Sequence, residues 1–126
     1  MMQLLNRISV VIMVAAAAVN STSHADAGDP AKGEQVFAKC AACHAKDKTN
    51  RMGPGLQGVV GRQAGSVSGF HYSRAMKTSN ITWDDKALDA FISTPQKAVP
   101  GTVMPFAGLP DQQERMDLIA YLESLK

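Results

Sequence analysis

An all-helical domain with compact loops is the fold that this 126-residue chain predicts, and three observations point to it. Apolar residues recur at helical spacing in three separate stretches, around Val36 and Phe37, from Leu88 to Ile92, and from Leu118 to Leu125. No segment alternates apolar and polar residues in the way a half-buried strand does. Between the first and second stretches lie Gly53, Gly55, Gly58, Gly61, Gly65 and Gly69, a density that forbids a long helix and predicts Ω-like loops wrapped on something large.

Taken in order, the first residues lie outside this fold. Arg7 precedes an apolar run from Ile8 to Val19, and Ser23-His24-Ala25 places small residues where a signal peptidase needs them. Residues 1–25 are therefore expected to be a secretory signal peptide and residues 26–126 the functional domain. Cleavage after Ala27 satisfies the same rule. The run falls short of the roughly 20 apolar residues of a membrane helix, so no stable membrane insertion is expected.

Asp29-Pro30 predicts a helix start, with Asp as N-cap and Pro at the first helical position. Thr82 with Asp85 predicts a second start, and Pro95 a stop. The segment from Pro95 to Pro110 is expected to be a stiff loop. Asp111 with Glu114 as reciprocal cap opens the last helix.

The chemistry begins at Lys39-Cys40-Ala41-Ala42-Cys43-His44, which holds both cysteines of the chain. C-x-x-C-H is the spacing of haem c attachment. On a helical segment the two sulfurs share a face and can each add to a vinyl group of one porphyrin, while the adjacent imidazole is placed to ligate iron. A thioredoxin-like dithiol would need a βαβ setting that is missing here. Zinc would need two further ligands, and beyond this motif and the leader the chain offers only His71. Two buried apolar cysteines are a reading open to any Cys pair, but the five-residue match outweighs it. Export also favours thioethers over a free dithiol, because exported thiols otherwise pair. One covalent haem c is thus the expected cofactor, with His44 as an iron ligand.

An electron-transfer haem needs a second strong axial ligand. Met52 follows His44 by eight residues beside a Gly-Pro turn, Met76 sits in a short polar helical stretch, and Met116 lies on the last helix. Packing or surface roles suit all three. Met104 lies 60 residues beyond His44 in the proline-stiffened loop and is the preferred ligand, with His71 second.

The formal net charge is +2 and falls to +1 once the leader, whose only Lys, Arg, Asp or Glu is Arg7, is removed. No basic block suggests nucleic acid. With two haem propionates and a ferric porphyrin core the holoprotein comes to about zero.

The ordered set Gly33-Glu34-Gln35-Val36-Phe37, Gly53-Pro54-Gly55-Leu56, Gly61-Arg62, Gly69-Phe70-His71-Tyr72, Ile81-Thr82-Trp83, Pro100-Gly101-Thr102-Val103-Met104 and Asp117-Leu118-Ile119-Ala120-Tyr121-Leu122 resembles the class I soluble cytochromes c, of the mitochondrial and alphaproteobacterial periplasmic type. The resemblance runs from Gly33 to Leu125 and implies the class I fold, helices and Ω-loops around one haem. It implies that the Pro54 carbonyl holds the second ring nitrogen of His44 and that Arg62, Tyr72 and Trp83 bind the haem propionates. It places Gly33, Phe37 and Tyr121 where the first and last helices cross, and Phe106 near the haem edge. It further implies a monomeric periplasmic electron shuttle, not an enzyme, between redox complexes such as a quinol-oxidising bc-type complex and a terminal oxidase.

Three residues depart from the family's pattern. Phe91 stands where many relatives have a tyrosine touching the methionine sulfur, Met76 replaces a common asparagine, and Val103 replaces a docking-face lysine. Lys39, Lys46, Lys48, Arg51 and Lys97 remain as docking cations. A haem peroxidase that opens by losing Met104, and an exported dithiol oxidoreductase, are the competing functions.

Overall fold

The computed structural model describes residues 27–126, so the expected leader lies outside the described residues. Five helices follow in chain order: α1 (Pro30–Phe37), α2 (Arg74–Lys77), α3 (Asp85–Ser93), α4 (Pro95–Ala98) and α5 (Gln112–Ser124). Among the described residues the only β pairing is an isolated antiparallel bridge between Gln63 and Thr82.

α1 starts as the sequence predicts. Asp29 is extended and its carboxylate accepts from the Ala31 and Lys32 amides, with Pro30 behind it. Regular α-helix ends at Phe37, short of the cysteines. The chain continues in tight turns, with Cys40 and Ala41 amides donating to the Phe37 carbonyl. The attachment motif thus rides on turns appended to α1, a difference from one continuous helix.

α3 is capped two residues later than expected: Asp84, not Thr82, accepts from the Ala87 amide at 2.7 Å. Thr82 is occupied by its bridge to Gln63. Pro95 ends α3 but also opens α4, because an extended Thr94 lets the proline serve as a first helical residue. The stretch from Pro95 to Pro110 is therefore loop only after Ala98. Asp111 caps α5 by accepting from the Glu114 amide at 2.8 Å. The Glu114 carboxylate meets Lys39 across the surface at 3.2 Å and is not the expected reciprocal cap.

α1 and α5 cross at Gly33. A Cβ there would lie 2.8 Å from the Tyr121 Cβ and collide with the Asp117 backbone, so only glycine permits this approach. Phe37 and Tyr121 pack beside it with ring centroids 5.4 Å apart. Asp117, 4% exposed, receives the Asp29 amide at 2.8 Å and the Gln113 amide group at 2.9 Å on one carboxylate oxygen. The hydrophobic core joins Phe37, Leu88, Phe91, Ile92, Leu118 and Leu122. All six also line the cavity described next.

Candidate haem site

The turn after α1 sets the first part of the site. The Cys43 and His44 amides both donate to the Cys40 carbonyl, at 3.1 and 2.9 Å, so the three functional side chains leave one turn together. The chain then folds back: the Gly53 amide donates to the Cys43 carbonyl at 2.9 Å. Gly53 lies flat against the imidazole, where a Cβ would sit 2.6 Å from His44 Nδ1 and 2.8 Å from Nε2.

His44 Nδ1 lies 2.8 Å from the Pro54 carbonyl. A carbonyl only accepts, so Nδ1 carries the hydrogen and Nε2 keeps its lone pair for a metal. Burial lowers the proton affinity of this ring, against the Pro54 bond, which raises it, and with a smaller lowering from Arg62. A neutral imidazole is the ligating form. The Cys40 thiol is pushed up, first by burial and then by Cys43, with Lys39 opposing. An activated thiol of a redox dithiol carries the opposite shift. Both cysteines are free of disulfide.

Cys40, Cys43, His44 and Met104 line a single cavity of about 410 Å³. Pro54, Arg62, Tyr72 and Trp83 line it as well, so every residue expected at the site is brought to one wall or another. Two guanidinium nitrogens of Arg62 donate to the Gly55 and Gln57 carbonyls at 3.2–3.3 Å. A guanidinium has five N–H groups, so donors remain. The Tyr72 hydroxyl accepts from the Val67 amide at 3.2 Å, which leaves its own hydrogen to give. Trp83 is buried and its ring packs on Phe91 at 5.0 Å.

The other candidate ligands separate in part. Met116 does not line the cavity, whereas Met52, Met76 and His71 do. Met52 is 75% exposed at the mouth, adjoining the glycine that covers His44, and His71 is exposed. Met76 lies in α2, half-buried against the core. Met104 sits in the helix-free loop, half-buried, with its amide donating to the Thr102 hydroxyl at 3.4 Å.

Sequence reasoning missed two polar groups here. Thr102 is 6% exposed on the cavity wall, and the Gln96 side chain donates to its carbonyl at 2.7 Å. The proximity of Thr102 to Met104 in sequence was the available signal; nothing in the sequence pointed to Gln96. Two thiols, a tautomer-fixed imidazole, a thioether and spare N–H and O–H donors for carboxylates around one apolar cavity suit a haem.

The family model described as cytochrome c matches residues 30–126. A cytochrome c2 from Rhodomicrobium vannielii is 50% identical over 114 residues, covering 89% of this chain and 91% of that protein. A cytochrome c from Tetrahymena pyriformis is 50% identical over 99 residues, 78% of this chain and 90% of its own. The solved structure of cytochrome cH from Methylobacterium extorquens superposes with a TM-score of 0.74 at 47% identity, covering 77% of this chain and 99% of that one.

Proposed function

The chain belongs to the cytochrome c family, and from that premise we propose that His44 and Met104 ligate its iron, that Arg62, Tyr72 and Trp83 hold the haem carboxylates, and that the protein shuttles electrons in the periplasm. Membership brings one haem c, covalent through Cys40 and Cys43, and the work of a single-haem electron carrier. When bound, the haem supplies a one-electron ferric/ferrous couple.

The observation that carries the ligand assignment is that Met104 reaches the cavity of His44 half-buried on the helix-free loop before α5, whereas Met52 and His71 are exposed and Met76 is held in α2. Pro54 fixes the His44 tautomer and makes the free nitrogen a better donor. Thioether sulfur is a soft ligand, so Met104 favours the ferrous state and a high potential. With His44 and Met104 both holding the iron, a substrate would find no open coordination site, which supports a carrier over a peroxidase. The spare donors of Arg62 and Tyr72 make half-buried carboxylates tolerable.

Three features support the cellular reading. The leader pattern of residues 1–25 argues for export, and no helix among the described residues is long and apolar enough to cross a membrane. The mouth of the cavity carries Met52 and Val103, 75% and 76% exposed, where a partner can dock. A quinol-oxidising bc-type complex as donor and a terminal oxidase as acceptor fit a monomeric shuttle.

The test is Met104→Ala. It should abolish the methionine-to-iron charge-transfer band, lower the potential and admit cyanide readily. Met76→Ala and Met116→Ala should leave all three unchanged. A band that survives in the Met104 variant and vanishes in another reassigns the ligand. If all three variants keep it, Met52, the remaining methionine on the cavity, is the candidate; if the parent never had it, His71 is the candidate and the potential must be lower.

A further inference from the structure

We infer that Gln96 is a positioning residue for Met104, its side chain holding the methionine loop closed over the cavity. The inference rests on the proposed Met104 ligation and adds the element that keeps that ligand in place. α4 is anchored from below by Pro95, a fully buried side chain of the domain. Gln96 follows it, so its stem rises from a fixed base. Its Nε2 donates to the Thr102 carbonyl at 2.7 Å across six residues.

The loop beyond α4 has few other fastenings. The Thr102 amide donates to the Val99 carbonyl at 3.0 Å, and the Met104 amide and Phe106 amide bond within the loop, to the Thr102 hydroxyl and the Met104 carbonyl. The next tie to the rest of the protein is the Leu109 amide on the Ile92 carbonyl at 2.8 Å. Among the described residues no hydrogen bond carries residues 103–108 to another element. Gly101, with φ of 85°, turns the chain just before Thr102 and gives a pivot. The Gln96 amide spans that pivot beside the Thr102–Val99 bond: with both made, Thr102 is fixed against α4 and Met104 follows two residues later. Without the Gln96 bond only the Val99 turn holds the chain at Gly101, so the loop opens more often and lifts Met104 from the cavity.

A hydrogen bond of this kind shifts the closed–open balance by roughly three- to tenfold. Cyanide can bind only when Met104 has left, so its binding rate reads the open population directly. Gln96→Ala in the ferric holoprotein should speed cyanide binding by about that factor, and should raise amide exchange at Thr102 and Met104. Gln96→Glu keeps the length but presents a carboxylate to the carbonyl, so it should do the same or more; Gln96→Asn, one methylene short, should fall between. Denaturant unfolding of each variant gives the global stability, which need not change, since the bond closes a surface loop. Met104→Ala is run beside them.

Unchanged cyanide rates in the Gln96 variants, with fast binding in Met104→Ala, overturn the strut and leave Met104 as ligand, water having replaced the amide. If Met104→Ala itself binds cyanide no faster than the parent, the ligand reading falls first. Faster binding in the Gln96 variants, with Thr102 exchange raised, establishes the strut.

Discussion

Asp117→Ala removes the carboxylate on which the crossing of α1 and α5 turns. Its Oδ1 accepts both the Asp29 amide, 88 residues away, and the Gln113 side chain, and it is 4% exposed. Hydrogen bonds to a charged group contribute about 1.5–3 kcal/mol each. Both end on one oxygen and Gln113 can turn to water, so the expected loss is about 2–3 kcal/mol, most of it the stranded Asp29 amide. For a domain of this size that lowers Tm by about 8–24 °C. Asp117→Asn keeps an oxygen acceptor without the charge and should lose about 1 kcal/mol. The Asp29 amide holds the Asp117 carboxyl below the usual carboxylate range, burial opposing and Gln113 and Lys32 adding. A depressed folded value means the charge stabilises the fold above the unfolded pKa of about 3.9 and ceases to do so as pH falls through the folded value. Guanidinium unfolding of the holoprotein, followed by the fluorescence of the single tryptophan Trp83 at pH 7 and at progressively lower pH, measures this. The gap between parent and Asp117→Asn should be full at pH 7 and close below pH of about 4. A gap that is the same across that range, or an alanine variant within about 0.5 kcal/mol of the parent, refutes the role given to Asp117.

Further outcomes follow from the site. Replacing Cys40 and Cys43 together by alanine should leave no haem on the peptide after acid-acetone extraction; retained haem contradicts attachment through this pair. Gly53→Ala would set a methyl group against the His44 ring, 2.6 Å from Nδ1, and should disturb the absorption spectrum or block assembly, whereas a parental spectrum and stability would show that the loop yields. Phe91→Tyr, at a buried ring on the cavity wall, should shift the potential without unfolding, and an unchanged potential would place the new hydroxyl away from Met104. Partner association should fall less than about tenfold between low and physiological ionic strength, where the Debye length is about 8 Å. Its basis is the small net charge, the exposed Val103 and a Lys39 already paired with Glu114. A steep fall would show that the remaining cations cluster at the cavity mouth.

Local signals were legible where one residue type has one use. Asp29-Pro30, Asp111 and the attachment motif each act through neighbours within a turn, so their spacing suffices. Thr82 misled because two acceptable caps stand two residues apart, and the choice of Asp84 depends on Gln63 pairing with Thr82 from a distant loop. Pro95 was read as a stop and is both stop and start, a distinction set by the extended Thr94 before it. The family resemblance brought Arg62, Tyr72 and Trp83 to the cavity, but not the carbonyls that Arg62 holds. Asp117 and Gln96 stayed hidden since each acts on a backbone group that no pattern marks.

The crossing of α1 and α5 also bears on timing. A chain is synthesised from its N-terminus, so Cys40, Cys43 and His44 exist as a segment before Asp117 and Tyr121 have been joined to it. Until α5 arrives, Gly33 and Phe37 have nothing to pack on and Asp29 has no carboxylate to bind. A domain lacking α5 thus lacks the contacts that close α1 beside its attachment motif. Covalent haem loading is suited by such an open state, because the sulfurs, half-buried in the folded domain, are more reachable before α1 and α5 meet.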